Sequence, residues 1–86
     1  MREIRVSKMS QPEKVASSVL FCLEGWEDVE IISLGLSAIV LIKACALVNN
    51  LKCEEMNLVY VPSMDYIKDK FGETRSATKT TITRMK

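Results

Sequence analysis

Apolar positions are spread unevenly along this chain, and their spacing changes from one segment to the next. The densest stretch, Val29 to Val48, reads VEIISLGLSAIVLIKACALV. A membrane span needs about 20 largely apolar residues, and this stretch is interrupted by Glu30, Gly35, Ser37 and Lys43. No membrane partner is expected. The pattern predicts a buried strand over Val29–Leu34, a turn at Gly35, and a helix capped by Ser37 that ends near Asn49 and Asn50.

The lighter segments organise around that core. Glu3 to Ser7 alternates polar and apolar residues, with β-branched Ile4 and Val6 on one side, as a half-buried strand does. Ser10, Gln11, Pro12 and Glu13 then spell a capping box in which the serine and glutamate satisfy each other's backbone amides. Pro12 suits the first turn, where its missing donor costs nothing. In the helix that follows, Val15, Ala16, Val19, Leu20, Cys22 and Leu23 share one face, and Gly25 is expected as the left-handed C-cap. Phe21 projects among the polar residues, either as a partner contact or beneath a loop. Trp26 to Asp28 reads as a turn with the indole over the core edge. Beyond the acidic loop Lys52–Met56, Asn57–Val61 predicts a third strand stopped by Pro62. Tyr66–Phe71 alternates as YIKDKF, Gly72 and Glu73 turn the chain, and Thr74–Met85 is β-branched and threonine-rich, so these last segments form a hairpin. The order is β-α-β-α-β-β, an α/β fold of the α+β two-layer kind in one domain.

The second helix is apolar nearly all round. With Ala38 at 0°, steps of about 100° place Ile39, Lys43 and Leu47 together on one side, while Val40, Leu41, Ala44, Cys45 and Val48 cover the remaining arc. A two-helix domain covers only one side of such a helix, and exposing Ile39 and Leu47 forgoes about 1.5 to 3 kcal/mol each. A homodimer through this helix is therefore expected, with Ile39 and Leu47 in its interface and Lys43 at the margin.

Composition sharpens this picture in a few places. At 86 residues the chain buries only about 60 to 65% of its unfolded surface, which adds weight to dimerisation. The net charge of +1 is unevenly placed: residues 1–14 sum to +2, 15–63 to −4 and 64–86 to +3. The basic ends suit either a polyanion-facing edge or ordinary solvated charge. Arg2, Glu3 and Arg5 stand where a secretory leader would turn apolar, so a cytoplasmic location is expected, at the nucleoid if DNA is bound. Cys22, Cys45 and Cys53 match neither a disulfide framework nor a metal pattern, and histidine is absent. No metal and no cofactor are expected; Cys22 and Cys45 read as small hydrophobes in the core.

The opening strand ending in VS, the helix beginning SQPEKVA, the segment EIISLGLSAIVLIKACALV, the strand NLVYVP and the closing GETRSATK together resemble the stage V sporulation protein S family of bacteria. The resemblance runs over essentially the whole chain. That family is similar in fold to the Alba domain of archaeal and eukaryotic chromatin and RNA-binding proteins. The resemblance implies a four-stranded mixed sheet with two helices on one face, a dimer, no enzymatic activity, and a regulatory nucleic-acid binder. It further implies phosphate contacts from the loop after the first strand, the loop after the second and the final hairpin. The matching positions are Lys8, then Gly35 to Ser37, then Lys68, Lys70 and Arg75. The second loop departs from the Alba pattern, carrying Leu36 where a basic residue often stands.

Two functional readings follow. In the first, the chain is a dimer that binds DNA or RNA. Its cations in the first loop (Lys8), at the start of the first helix (Lys14) and in the hairpin (Lys68, Lys70, Arg75 and Lys79) neutralise phosphates, and the helix starts at Ser10 and Ser37 offer amides to the same groups. In the second, the same scaffold is a regulatory protein-interaction module without a nucleic-acid ligand, favoured by the acidic middle, the non-basic second loop and Phe21. Catalysis is not expected. The adjacent pairs Glu27–Asp28 and Glu54–Glu55 read as solvated, and Gly35–Ser37 is too short for a phosphate-cradling loop, so no small-molecule substrate is expected.

Overall fold

The computed structural model describes the backbone of residues 1–86 and every side chain except that of Leu36, so the expectation resting on Leu36 lies outside the described residues. Strand β1 is Arg2–Val6, helix α1 Pro12–Glu24 and strand β2 Val29–Leu34; a short 3-10 turn at Gly35–Ser37 leads into helix α2, Ala38–Leu51. Strands β3, Asn57–Lys68, and β4, Thr74–Met85, complete one mixed sheet in the spatial order β1-β2-β4-β3. β1 runs parallel to β2, and β4 is antiparallel to both β2 and β3. Both helices lie on one face. No helix is long and apolar enough to cross a membrane.

Register explains the core. Ile4 sits beside Ile31, Val29 beside Ile82, and Tyr60 on the other flank of Ile82. This row faces Val19 and Leu23 of α1 and Val40, Leu41 and Val48 of α2. Val19, Leu23, Val29, Ile31, Val48 and Ile82 are sealed from solvent, each contributing about 1.5 to 3 kcal/mol through burial. Ala16 and Ala44, equally buried, let the helices approach each other closely. On the opposite face the sheet is uncovered. Ile32 is nonetheless buried there, because its register partners Arg5 and Lys79 carry aliphatic stems long enough to lie across it. The Tyr60 hydroxyl is enclosed without a hydrogen-bond partner, and its burial, with the nearby Cys45, pushes its pKa up.

Several local expectations need correction. Ser10 does not cap α1: its hydroxyl accepts from the Ser7 amide at 2.9 Å, and the helix starts from Gln11, extended and without a side-chain cap, with Pro12 in its first turn. Ser37 likewise turns away from the amides of α2; its hydroxyl accepts from the Leu34 amide at 2.8 Å and donates to the Leu34 carbonyl at 2.6 Å. The left-handed residue after α1 is Trp26 (φ 61°), whereas Gly25 lies at φ −85°. The Glu27 amide donates to the Cys22 carbonyl and the Trp26 amide to the Leu23 carbonyl, each at 3.0 Å, which closes a Schellman motif with tryptophan where glycine is usual. Arg84 stacks on the indole at 4.0 Å and compensates in part. Pro62 does not stop the third strand, because β3 is an edge strand, where a nitrogen without hydrogen is tolerated. The two segments on either side of Pro62 are therefore one strand, ending at Lys68 rather than Phe71.

Trp26 offers a measurable balance between strain and stacking. Trp26→Ala keeps the left-handed backbone and loses the stack, so urea unfolding should show a loss of about 1 kcal/mol. Trp26→Gly loses the same stack but regains about 1 kcal/mol from the relaxed backbone, and should be the more stable of the two. A glycine variant weaker than the alanine variant would contradict this account.

Candidate functional site

The strand directions bring three connections to one end of the sheet. β1 and β2 both finish there, and β4 returns past Leu34 at Ala77 while β3 pairs with it beyond that level, out to Lys68 opposite Thr74. The β1–α1 loop is folded on itself: besides the Ser10 contact, the Met9 amide donates to the Ser7 hydroxyl at 3.2 Å, and Lys8 stands exposed at its apex. The next loop turns at Gly35, whose φ of 53° favours glycine although a Cβ there would meet open space. Ser37, buried below it, spends its hydroxyl on Leu34.

Arg75 joins these connections. On one side it lines an open cleft with Lys8, Gly35 and Ser37; on the other it lines a second with Arg5, Lys68, Lys70 and Phe71. Its guanidinium Nε lies 2.8 Å from Asp69 Oδ2 as an ion pair. The other Asp69 oxygen accepts from the amides of Phe71 at 2.9 Å and Glu73 at 3.0 Å. Desolvation against the hairpin opposes ionisation of Asp69, but the two amides and Arg75 outweigh it and hold the pKa below the ordinary carboxylate value.

Other candidate residues lie elsewhere. Lys14 lines the outer side of the β1–α1 junction with Met9 and Ser10. Lys79 sits in the middle of the uncovered sheet face, its Nζ 3.3 Å from Glu30 and 3.5 Å from Asp65. The Glu30 hydrogen bond is the main cause of its raised pKa; desolvation opposes this, and the charges of Glu30 and Asp65 reinforce it. Arg5 and Phe71, which are not among the phosphate contacts expected from the sequence, stand in the second cleft. Alternation puts Arg5 on the polar side of its strand; the YIKDKF alternation makes Phe71 a strand residue, and the turn-forming pair Asp69 and Gly72 is the sequence signal against it.

The outward face of α2 carries Ile39, Ile42, Lys43 and Ala46, with Ile39 55% and Ile42 66% exposed. Leu47 is half-buried against the core. Phe21, on α1, is 78% exposed, so no loop covers it. Cys22 is buried, Cys53 is exposed, and burial pushes the half-buried Cys45 thiol up, away from reactivity.

No protein-family model and no curated protein matches the chain. Among solved structures, it is similar to Alba from Thermoplasma volcanium, with a TM-score of 0.70 and 12% identity, over 96% of this chain and 100% of that one. At that identity the likeness is one of fold. The chain has an Alba-like fold.

The tip geometry carries a pH signature. A carboxyl whose folded pKa is depressed contributes fully above its unfolded value, about 3.9 for aspartate, and loses the contribution as pH falls through the folded value. The Phe71 and Glu73 amide resonances should therefore titrate together with a midpoint below about 3.9. Asp69→Asn should abolish that transition and increase exchange at both amides. A midpoint at or above the ordinary value would refute the arrangement.

Proposed function

We propose that this chain is a non-enzymatic, dimeric, cytoplasmic nucleic-acid-binding protein with a regulatory role, of the stage V sporulation protein S kind. It contacts DNA or RNA phosphates through its first loop and C-terminal hairpin. One observation carries the reading: Lys8, Lys68, Lys70 and Arg75, from connections far apart in sequence, meet at one end of an Alba-like fold. Among the described residues, no carboxylate lies within 4.0 Å of Lys8, Lys68 or Lys70, so their charges face solvent and can displace counterions from a phosphate backbone. Lys79, held between two carboxylates, contributes to the sheet rather than to the ligand. The resemblance of the quoted motifs to the sporulation family, running the length of the chain, supports the regulatory assignment.

The dimer belongs to the same reading. Ile39, Ile42 and Ala46 form an apolar stripe that the domain itself leaves uncovered, and a twofold contact through it doubles the number of basic ends. The alternative, a protein-interaction module, is favoured by one observation, the isolated exposure of Phe21 beside Arg2.

At low salt, fluorescence anisotropy should detect binding of DNA or RNA, with affinity falling log-linearly as salt rises. Each lysine replaced among Lys8, Lys68 and Lys70 should reduce the slope by about 1 and weaken binding uniformly across sequences. Absence of binding at low salt sinks the proposal. Separately, sedimentation should show a dimer for the native chain and a folded monomer for Ile42→Glu; an undisturbed dimer would place the interface elsewhere.

A further inference from the structure

Phe71 is a large aromatic side chain left 76% exposed on a loop that is fixed in place. Asp69 ties that loop from several directions. Its carboxylate receives the Phe71 and Glu73 amides, its own amide donates to the Glu73 carbonyl at 2.9 Å, and its carbonyl accepts from the Gly72 amide at 3.0 Å. Gly72, at φ 81°, permits the turn. A ring on a floppy tip would be free to fold back onto apolar neighbours. Here the backbone is satisfied internally, and the ring is presented outward.

Its surroundings are cationic. The Lys70 ammonium lies 5.2 Å from the ring centroid, and Arg5, Lys68 and Arg75 line the same cleft, with Asp69 the acidic group among them. A complementary ligand carries dense negative charge together with a flat face for the ring. Nucleic acid has both, but a duplex keeps its base faces inside the stack, whereas a single strand offers them.

We infer that the hairpin tip is a stacking platform for an unpaired base, with Phe71 taking the base and Arg5, Lys68, Lys70 and Arg75 the flanking phosphates, so that the preferred ligand is single-stranded nucleic acid. The inference rests on the nucleic-acid reading above and narrows it. The preformed loop favours such binding because little order has to be imposed on the protein when the base arrives.

The test compares oligothymidylate, oligouridylate and a duplex of equal length by anisotropy at low salt, using the native chain and Phe71 variants. Phe71→Ala should weaken binding to the single strands by roughly 5- to 100-fold while duplex binding changes by less than about twofold. Phe71→Tyr should bind like the native chain, and Phe71→Leu should behave like the alanine variant, since an apolar side chain without a flat face cannot stack. The two single strands separate DNA from RNA. Circular dichroism and sedimentation check that fold and oligomeric state are kept. Equal losses on duplex and single strands, a leucine variant as good as native, or a Phe71→Ala change in oligomeric state would each overturn the platform. A native chain that binds only duplex leaves the nucleic-acid reading standing and this inference refuted; one that binds none of the three refutes both.

Discussion

The parallel pairing of β1 with β2 is the constraint on which the rest of the molecule depends. Two parallel neighbours cannot be joined by a tight turn, so the chain must leave β1 at one end, travel back through α1, and enter β2 from the other. Both strands then finish at the same end, and both following loops open there. β4 runs antiparallel to β2 and carries its hairpin partner to that end as well. The pairing is held by the deepest part of the core, where Val29 and Ile31 lie under both helices. Burial of a few aliphatic side chains therefore decides where the cations meet.

Much of this was readable from periodicity. Alternation in β1, the helical face of α1 and the apolar density of β2 and α2 all come from burial on one side, and burial leaves its mark directly in the spacing of residue types. What spacing does not encode is competition between nearby partners. Ser10 has the composition of a cap, yet the Ser7 amide takes its hydroxyl. Glycine was the natural choice for the left-handed position, yet the hydrogen bonds of the Schellman motif fall one residue later and leave it to Trp26. On α2 the wheel identified excess apolar surface, but which arc faces outward depends on where α1 packs. That tertiary fact puts Ile42 fully on the outer side and draws Leu47 inward.

The same distinction governs the charges. Lys8 stays unpaired because its neighbours along the loop and in the cleft are small, apolar or, in Arg75, cationic, so its position could be read from the loop alone. Lys79 could not be read in that way. Its partners, Glu30 and Asp65, come from two other strands, and only the register of three strands reveals that they enclose it. Arg75 is intermediate: paired with Asp69, it is oriented rather than neutralised, since the ion pair holds the guanidinium at the junction of two clefts while leaving it more than half exposed.

The outer margins of the sheet carry a further consequence. One margin, β1, is five residues long and bears Arg2, Glu3 and Arg5; the other, β3, is interrupted at its middle by Pro62. A strand approaching either side would meet charges on a short segment or a nitrogen with no hydrogen to share, and both discourage lateral growth. Lateral addition of a fifth strand is thus disfavoured at both margins. The large apolar side chains exposed on the helical side, Ile39 and Ile42 among them, face away from both margins, so a contact made through them adds nothing to the strand ladder.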